Sequence, residues 1–164
     1  MQPIETHYKG YRFRSRLEAR WAVFFDHLGL SWEYEPEGFD LGDGVWYLPD
    51  FKVCGAVWVE VKPEAVHADE KFSKFKDCEE IEFAALVCGD PKSVIDSFRS
   101  SNNVKAHPAF VLMVFCDYNM MTEGRKALGD SAARMERWGY GQTLINSAAR
   151  AARQARFEHG ENNG

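Results

Sequence analysis

The chain has 164 residues, 45% of them apolar and 14% aromatic, and a net charge of −5. That is enough apolar material for one real core, too little length for two comfortable domains, and not the composition of a disordered chain. No apolar run is long enough to span a membrane and Met1-Gln2-Pro3-Ile4-Glu5 has no signal-peptide character, so the expectation is a cytoplasmic protein without a membrane partner.

Residues 7–14 (His7-Tyr8-Lys9-Gly10-Tyr11-Arg12-Phe13-Arg14) alternate aromatic and basic groups and read as a short strand or hairpin. Ser15-Arg16-Leu17-Glu18 has the form of a capping box, in which Glu18 reaches back to the Ser15 amide. With Leu17, Trp21, Phe24, Phe25 and Leu28 at helical spacing and Gly29 as a stop, a helix is predicted over about 15–28. Ser31 to Glu35 alternates, with Trp32 and Tyr34 on one side and Glu33 and Glu35 on the other. Strand-like pieces at 39–41 and 45–48 flank Gly42-Asp43-Gly44, a hairpin signal, and Pro49-Asp50 follows.

Ala56 to Lys62 is the expected central strand, ended by Pro63. Val57, Val59 and Val61 enter a core, while Glu60 and Lys62 share the other face roughly 7 Å apart. Pairing with the 45–48 strand would bring Asp50 beside Glu60. Beyond it the sequence predicts an amphipathic helix over 68–80, an apolar strand over 83–88 and a short helix over 92–99. A second apolar strand is expected over 110–116. A helical region then spans roughly 130–157, with Gly139 and Gly141 as the points where it would break in two. The whole is an α/β sandwich with a mixed central sheet: one domain over 1–157, with a basic C-terminal helical region from about 125 and a flexible tail at 158–164.

Charge is distributed in blocks. Lys9, Arg12, Arg14, Arg16 and Arg20 face Glu18 alone near the start, fifteen acids face five lysines over 31–90, and a second basic block includes Arg150, Arg153 and Arg156. Two basic ends around an acidic middle suit a protein that grips phosphate at its periphery and gathers carboxylates around a metal; they equally suit a solvated surface. Cys54, Cys78, Cys88 and Cys116 are scattered without a Cys-x-x-Cys pair, and read as small hydrophobes rather than zinc ligands.

Asp50 and Glu60 on one polar strip would repel unless a cation sits between them, and Mg²⁺ favours one or two carboxylates with waters and phosphate oxygens. Taken alone, Glu-x-Lys on a half-exposed strand and Pro-Asp in a turn are also ordinary surface features.

With Pro49-Asp50 and Glu60-x-Lys62 after a helix and three strands, the chain resembles the PD-(D/E)xK nuclease superfamily, whose restriction-endonuclease-like fold is shared by type II restriction enzymes and archaeal Holliday-junction resolvases. The segments at 13–21, 32–37, 47–51 and 155–160 are similar to a family of small phage and prophage proteins regarded as nucleases, a resemblance spanning nearly the whole chain. One departure is Pro63, where relatives commonly carry glycine.

The resemblance implies a metal-dependent nuclease, a hydrolase cutting phosphodiester bonds of DNA and expected to be an endonuclease of phage origin working in the bacterial host cytoplasm; RNA stays open as a substrate. It implies that Asp50, Glu60 and the Val61 carbonyl hold Mg²⁺ or Mn²⁺, and that Lys62 stabilises the pentacovalent charge. Glu18 would join the catalytic group from the first helix, although its capping role is a complete structural job. Glu35 is a candidate auxiliary ligand. Arg12, Arg14, Arg16, Arg20, Arg150, Arg153 and Arg156 are candidate phosphate contacts, with Tyr11 and Phe13 able to stack on bases or pack beneath the sheet. Many superfamily members dimerise, which leaves a homodimer open, and some are inactive and only bind nucleic acid or a host protein.

Overall fold

Why the central strand is buried on both faces follows from what it pairs with. The computed structural model describes residues 4–63, 70–99 and 131–157. A hairpin of β1 (Thr6–Tyr8) and β2 (Tyr11–Phe13) turns at Lys9 and Gly10, both at positive φ, as a two-residue turn matched to strand twist requires. In α1 (Arg16–His27) the extended Ser15 caps the helix by accepting the Glu18 amide on its hydroxyl (3.2 Å). Then come β3 (Trp32–Tyr34), β4 (Phe39–Asp40), β5 (Trp46–Tyr47), β6 (Phe51–Val53), β7 (Val57–Lys62), α2 (Glu70–Lys76), β8 (Phe83–Cys88), α3 (Pro91–Arg99) and α4 (Ser131–Gln154).

The main sheet has the order β3-β6-β7-β8. Its first three strands are antiparallel neighbours and β8 runs parallel to β7, so the chain is mixed α/β. On one face Phe51, Val53, Val57, Val59 and Val61 meet α1 and the fully buried Ala148, Ala149 and Ala152 of α4. Three alanines let the backbone of α4 approach closely. On the other face Trp58 packs with Tyr47, Phe72, Phe75 and Ile81, and with Phe39 from β4. The ends are tied by polar contacts: the Trp21 indole donates to the Gly89 carbonyl (3.1 Å), and Arg153 donates to Asp90 (2.9 Å) from α4 to the start of α3.

Three expectations change. The 45–48 segment does not pair with the central strand; β5 pairs with β4 in a separate hairpin. Pro49 has no N–H to give a ladder, and the strand beside β7 begins after it, at Phe51. Glu60 is also not on a half-exposed face: Trp58 and Glu60 are buried beneath β5 and α2. Finally, α4 is one helix through Gly139 and Gly141. Each glycine costs about 1 kcal/mol in a helix interior, which packing against α1 and α3 can outweigh. The 110–116 strand, residues 125–130 and the 158–164 tail lie outside the described residues. Among the described residues no helix is long and apolar enough to cross a membrane.

Phe51 is fully buried and touches the rings of Phe13, Phe25, Trp32 and Tyr34. Phe51→Ala should therefore lower unfolding free energy by about 3–5 kcal/mol in urea titration. A loss below about 1 kcal/mol would show that β6 is not the keystone of this core.

Candidate active site

Strand register gathers the acids. Tyr34 and Val59 both lie opposite Phe51, so one step further the registers of β3 and β7 set Glu35 and Glu60 on either side of Asp50. The Glu35 amide donates to the Asp50 carbonyl (2.8 Å), which continues the β3–β6 ladder to this row. Glu18 comes in from the first turn of α1. Asp50, Glu60 and Glu18 are 9%, 6% and 8% exposed, an unusual depth for three carboxylates.

Each is held by named donors. Asp50 Oδ2 accepts the Val61 amide (2.7 Å), while Oδ1 accepts no hydrogen bond among the described residues. Glu60 Oε2 accepts the Tyr47 hydroxyl (2.8 Å), and its Oε1 takes the Lys62 ammonium (2.6 Å). Glu18 Oε1 accepts from the Ser15 hydroxyl (2.6 Å); its Oε2 accepts the Tyr34 hydroxyl (2.6 Å) and the Arg14 amide (3.1 Å). The expected return of Glu18 to the Ser15 amide is thus replaced by the Arg14 amide one residue earlier. The Val61 carbonyl, the remaining expected ligand, faces the same strand edge as its N–H, toward Asp50; the Lys62 carbonyl faces β8 and accepts the Gly89 amide (2.8 Å).

Burial first, and the charge of Glu60 second, push the Asp50 carboxyl up to about 8; Glu18 adds to the rise, while the Val61 amide and Lys62 oppose it. Burial also raises Glu35, against the lowering effect of Arg14 and with Glu18 and Glu60 adding to the rise. Tyr34 is raised by burial and by its bond to Glu18, so it remains a donor. A carboxyl raised in this way occurs at functional sites and in structural networks alike.

Of the seven candidate arginines, only Arg14 is joined to this cluster among the described residues, its Nη2 lying 2.7 Å from Glu35 Oε1. Arg12 is paired with Glu5 and Arg153 with Asp90. Arg150 and Arg156 are exposed, Arg16 and Arg20 half-buried, and Arg16 has partners of its own. Phe13 is core; Tyr11 leans on Trp32 (4.9 Å). Tyr34 and Tyr47 were not singled out from sequence, because a tyrosine reads as core until its hydroxyl partner is known. Cys54, Cys78 and Cys88 are free thiols.

No family model, curated protein or solved structure matches this chain.

Among the described residues no three His, Cys, Asp or Glu side chains form a ready metal-ligand group. The donor set is instead a pair, Asp50 and Glu60, beside a strand-edge carbonyl. An all-oxygen pair of this kind is the donor type that Mg²⁺ takes, with one or two carboxylates and waters of its own. The open Asp50 Oδ1 and the raised Asp50 carboxyl mark a place where positive charge is deficient.

The sign of the pH effect follows. From about pH 4 to about pH 8 the unfolded chain has released the Asp50 proton and the folded chain retains it, so this group's contribution to stability falls as pH rises. At pH 8 without metal, Asp50→Asn keeps the Val61 bond, removes the buried charge, and should raise Tm by about 5 °C or more. Mn²⁺ should raise the wild-type Tm and leave Asp50→Asn unchanged in differential scanning calorimetry. An equal metal response in both proteins would contradict this assignment.

Proposed function

We propose that the chain is a divalent-metal-dependent nuclease of PD-(D/E)xK type, with a restriction-endonuclease-like fold, that hydrolyses phosphodiester bonds of DNA as an endonuclease of phage origin. The observation that carries this reading is the end of the β6–β7 pair, where a buried, charge-deficient Asp50 stands opposite Glu60 with Lys62 2.6 Å from the latter. Asp50, Glu60 and the Val61 carbonyl would hold Mg²⁺ or Mn²⁺, which when bound supplies Lewis-acid activation of the phosphoryl group and of water. Tyr47 and the Val61 amide fix the carboxylate orientations. Lys62, its ammonium 2.6 Å from Glu60, is placed to offset negative charge building on the phosphoryl oxygens. Glu18, fixed by Ser15, Tyr34 and the Arg14 amide, adds negative charge beside the pair and acts through position.

One observation favours a second reading. Both oxygens of Glu60 and both of Glu18 already have protein partners, as in a nuclease-fold protein that binds nucleic acid or a host protein without cutting.

Purified protein should nick supercoiled plasmid DNA with Mg²⁺ or Mn²⁺ and not with EDTA. Asp50→Ala, Glu60→Ala and Lys62→Ala should each lower the rate by about 100-fold or more. Cutting retained in all three contradicts the site; tight binding without cutting of DNA or RNA under any divalent ion supports the second reading.

A further inference from the structure

Arg14 occupies an uncommon position. Its amide is anchored in the site by the Glu18 carboxylate and the Tyr34 hydroxyl (both 3.1 Å), yet its side chain is 64% exposed. Its partner Glu35 is mostly buried, and the contact between them is a single one, from Arg14 Nη2 to Glu35 Oε1 (2.7 Å). Only Nη2 of the guanidinium fork is engaged among the described residues, on Glu35, which leaves most of a group that can make paired hydrogen bonds to a planar anion or phosphate without a partner there. In a continued strand Glu35 would follow Glu33 on one face; its backbone is instead left-handed (φ 46°) immediately before Pro36, and its carboxylate meets Arg14. Such a conformation is unfavourable for a non-glycine residue and persists where the surroundings impose it.

We propose that Arg14 is a phosphate-binding residue that Glu35 holds in place at the rim of the carboxylate cluster, and that a backbone phosphate of the nucleic acid displaces Glu35 from it. The choice of phosphate as the anion rests on the nuclease reading. The exchange takes from Glu35, 19% exposed, its one ion-pair partner among the described residues, and gains the paired charge-assisted hydrogen bonds of a fork on a phosphate, which are stronger than the single contact given up. Arg12 and Arg153 differ in kind: Arg12 already makes three hydrogen bonds to Glu5 and Arg153 bridges α4 to Asp90.

The test is fluorescence anisotropy of a short fluorescein-labelled DNA duplex in EDTA across a salt series, with wild type, Arg14→Ala, Arg14→Lys and Glu35→Gln. Arg14→Ala should weaken binding about tenfold and reduce the salt slope by about one phosphate contact. Arg14→Lys should keep the slope and recover part of the affinity, while Glu35→Gln, which removes the competitor, should tighten binding. Unchanged affinity and slope in Arg14→Ala overturns the proposal, as does Glu35→Gln weakening binding like Arg14→Ala, or a wild type that binds no DNA. If Arg14→Ala does not fold, the Lys and Glu35→Gln variants decide by the same criteria. A wild type that binds through Arg14 but never cuts sinks the nuclease reading alone; one that cuts normally and binds without Arg14 sinks this proposal alone.

Discussion

Two carboxylates, Asp50 and Glu60, face each other out of water because β6 and β7 pair antiparallel with Phe51 opposite Val59. Much of the local architecture answers that placement. One amide, one tyrosine hydroxyl and one ammonium are spent on the pair, and they still leave Asp50 short of positive charge. A protein that needed these strands only for packing would be more stable with apolar or neutral groups here, since buried charge is unfavourable without full compensation. That is the physical reason for reading the site as functional.

The scaffold holds this arrangement from both sides. Phe51, adjacent to Asp50, is locked among Phe13, Phe25, Trp32 and Tyr34, and Tyr34 also delivers its hydroxyl to Glu18. On the opposite face Tyr47 packs on Phe75 and delivers its hydroxyl to Glu60. In both cases a ring supplies apolar area while its polar tip orients an acid. Core and site are therefore one structure, and a change at Tyr34 or Tyr47 would be felt in both.

Much of this was legible in the residues. The first helix declares itself through Ser15, the 3–4 spacing of Trp21, Phe24, Phe25 and Leu28, and Gly29; β7 does so through its alternating valines. Less was legible where tertiary contacts decide. Phe51-Lys52-Val53 is too short to announce a strand, so the sequence puts Asp50 at the end of one strand when it stands just ahead of another. The burial of the Glu60 face depends on Phe39, Tyr47 and Phe75 reaching Trp58. Nothing local writes a left-handed backbone before Pro36, so the meeting of Glu35 and Arg14 could not be read in advance. The two glycines in α4 show the converse, a local break signal overridden by packing.

The most direct measurement is the titration of the Asp50 side-chain carbon by ¹³C NMR, with and without Mg²⁺. A charge-deficient metal site requires a midpoint near 8 in metal-free buffer, falling by more than about one unit once Mg²⁺ is present. A midpoint near the ordinary aspartate value of about 4, indifferent to Mg²⁺, would mean that Asp50 is not short of positive charge and that the metal-dependent reading has lost its basis.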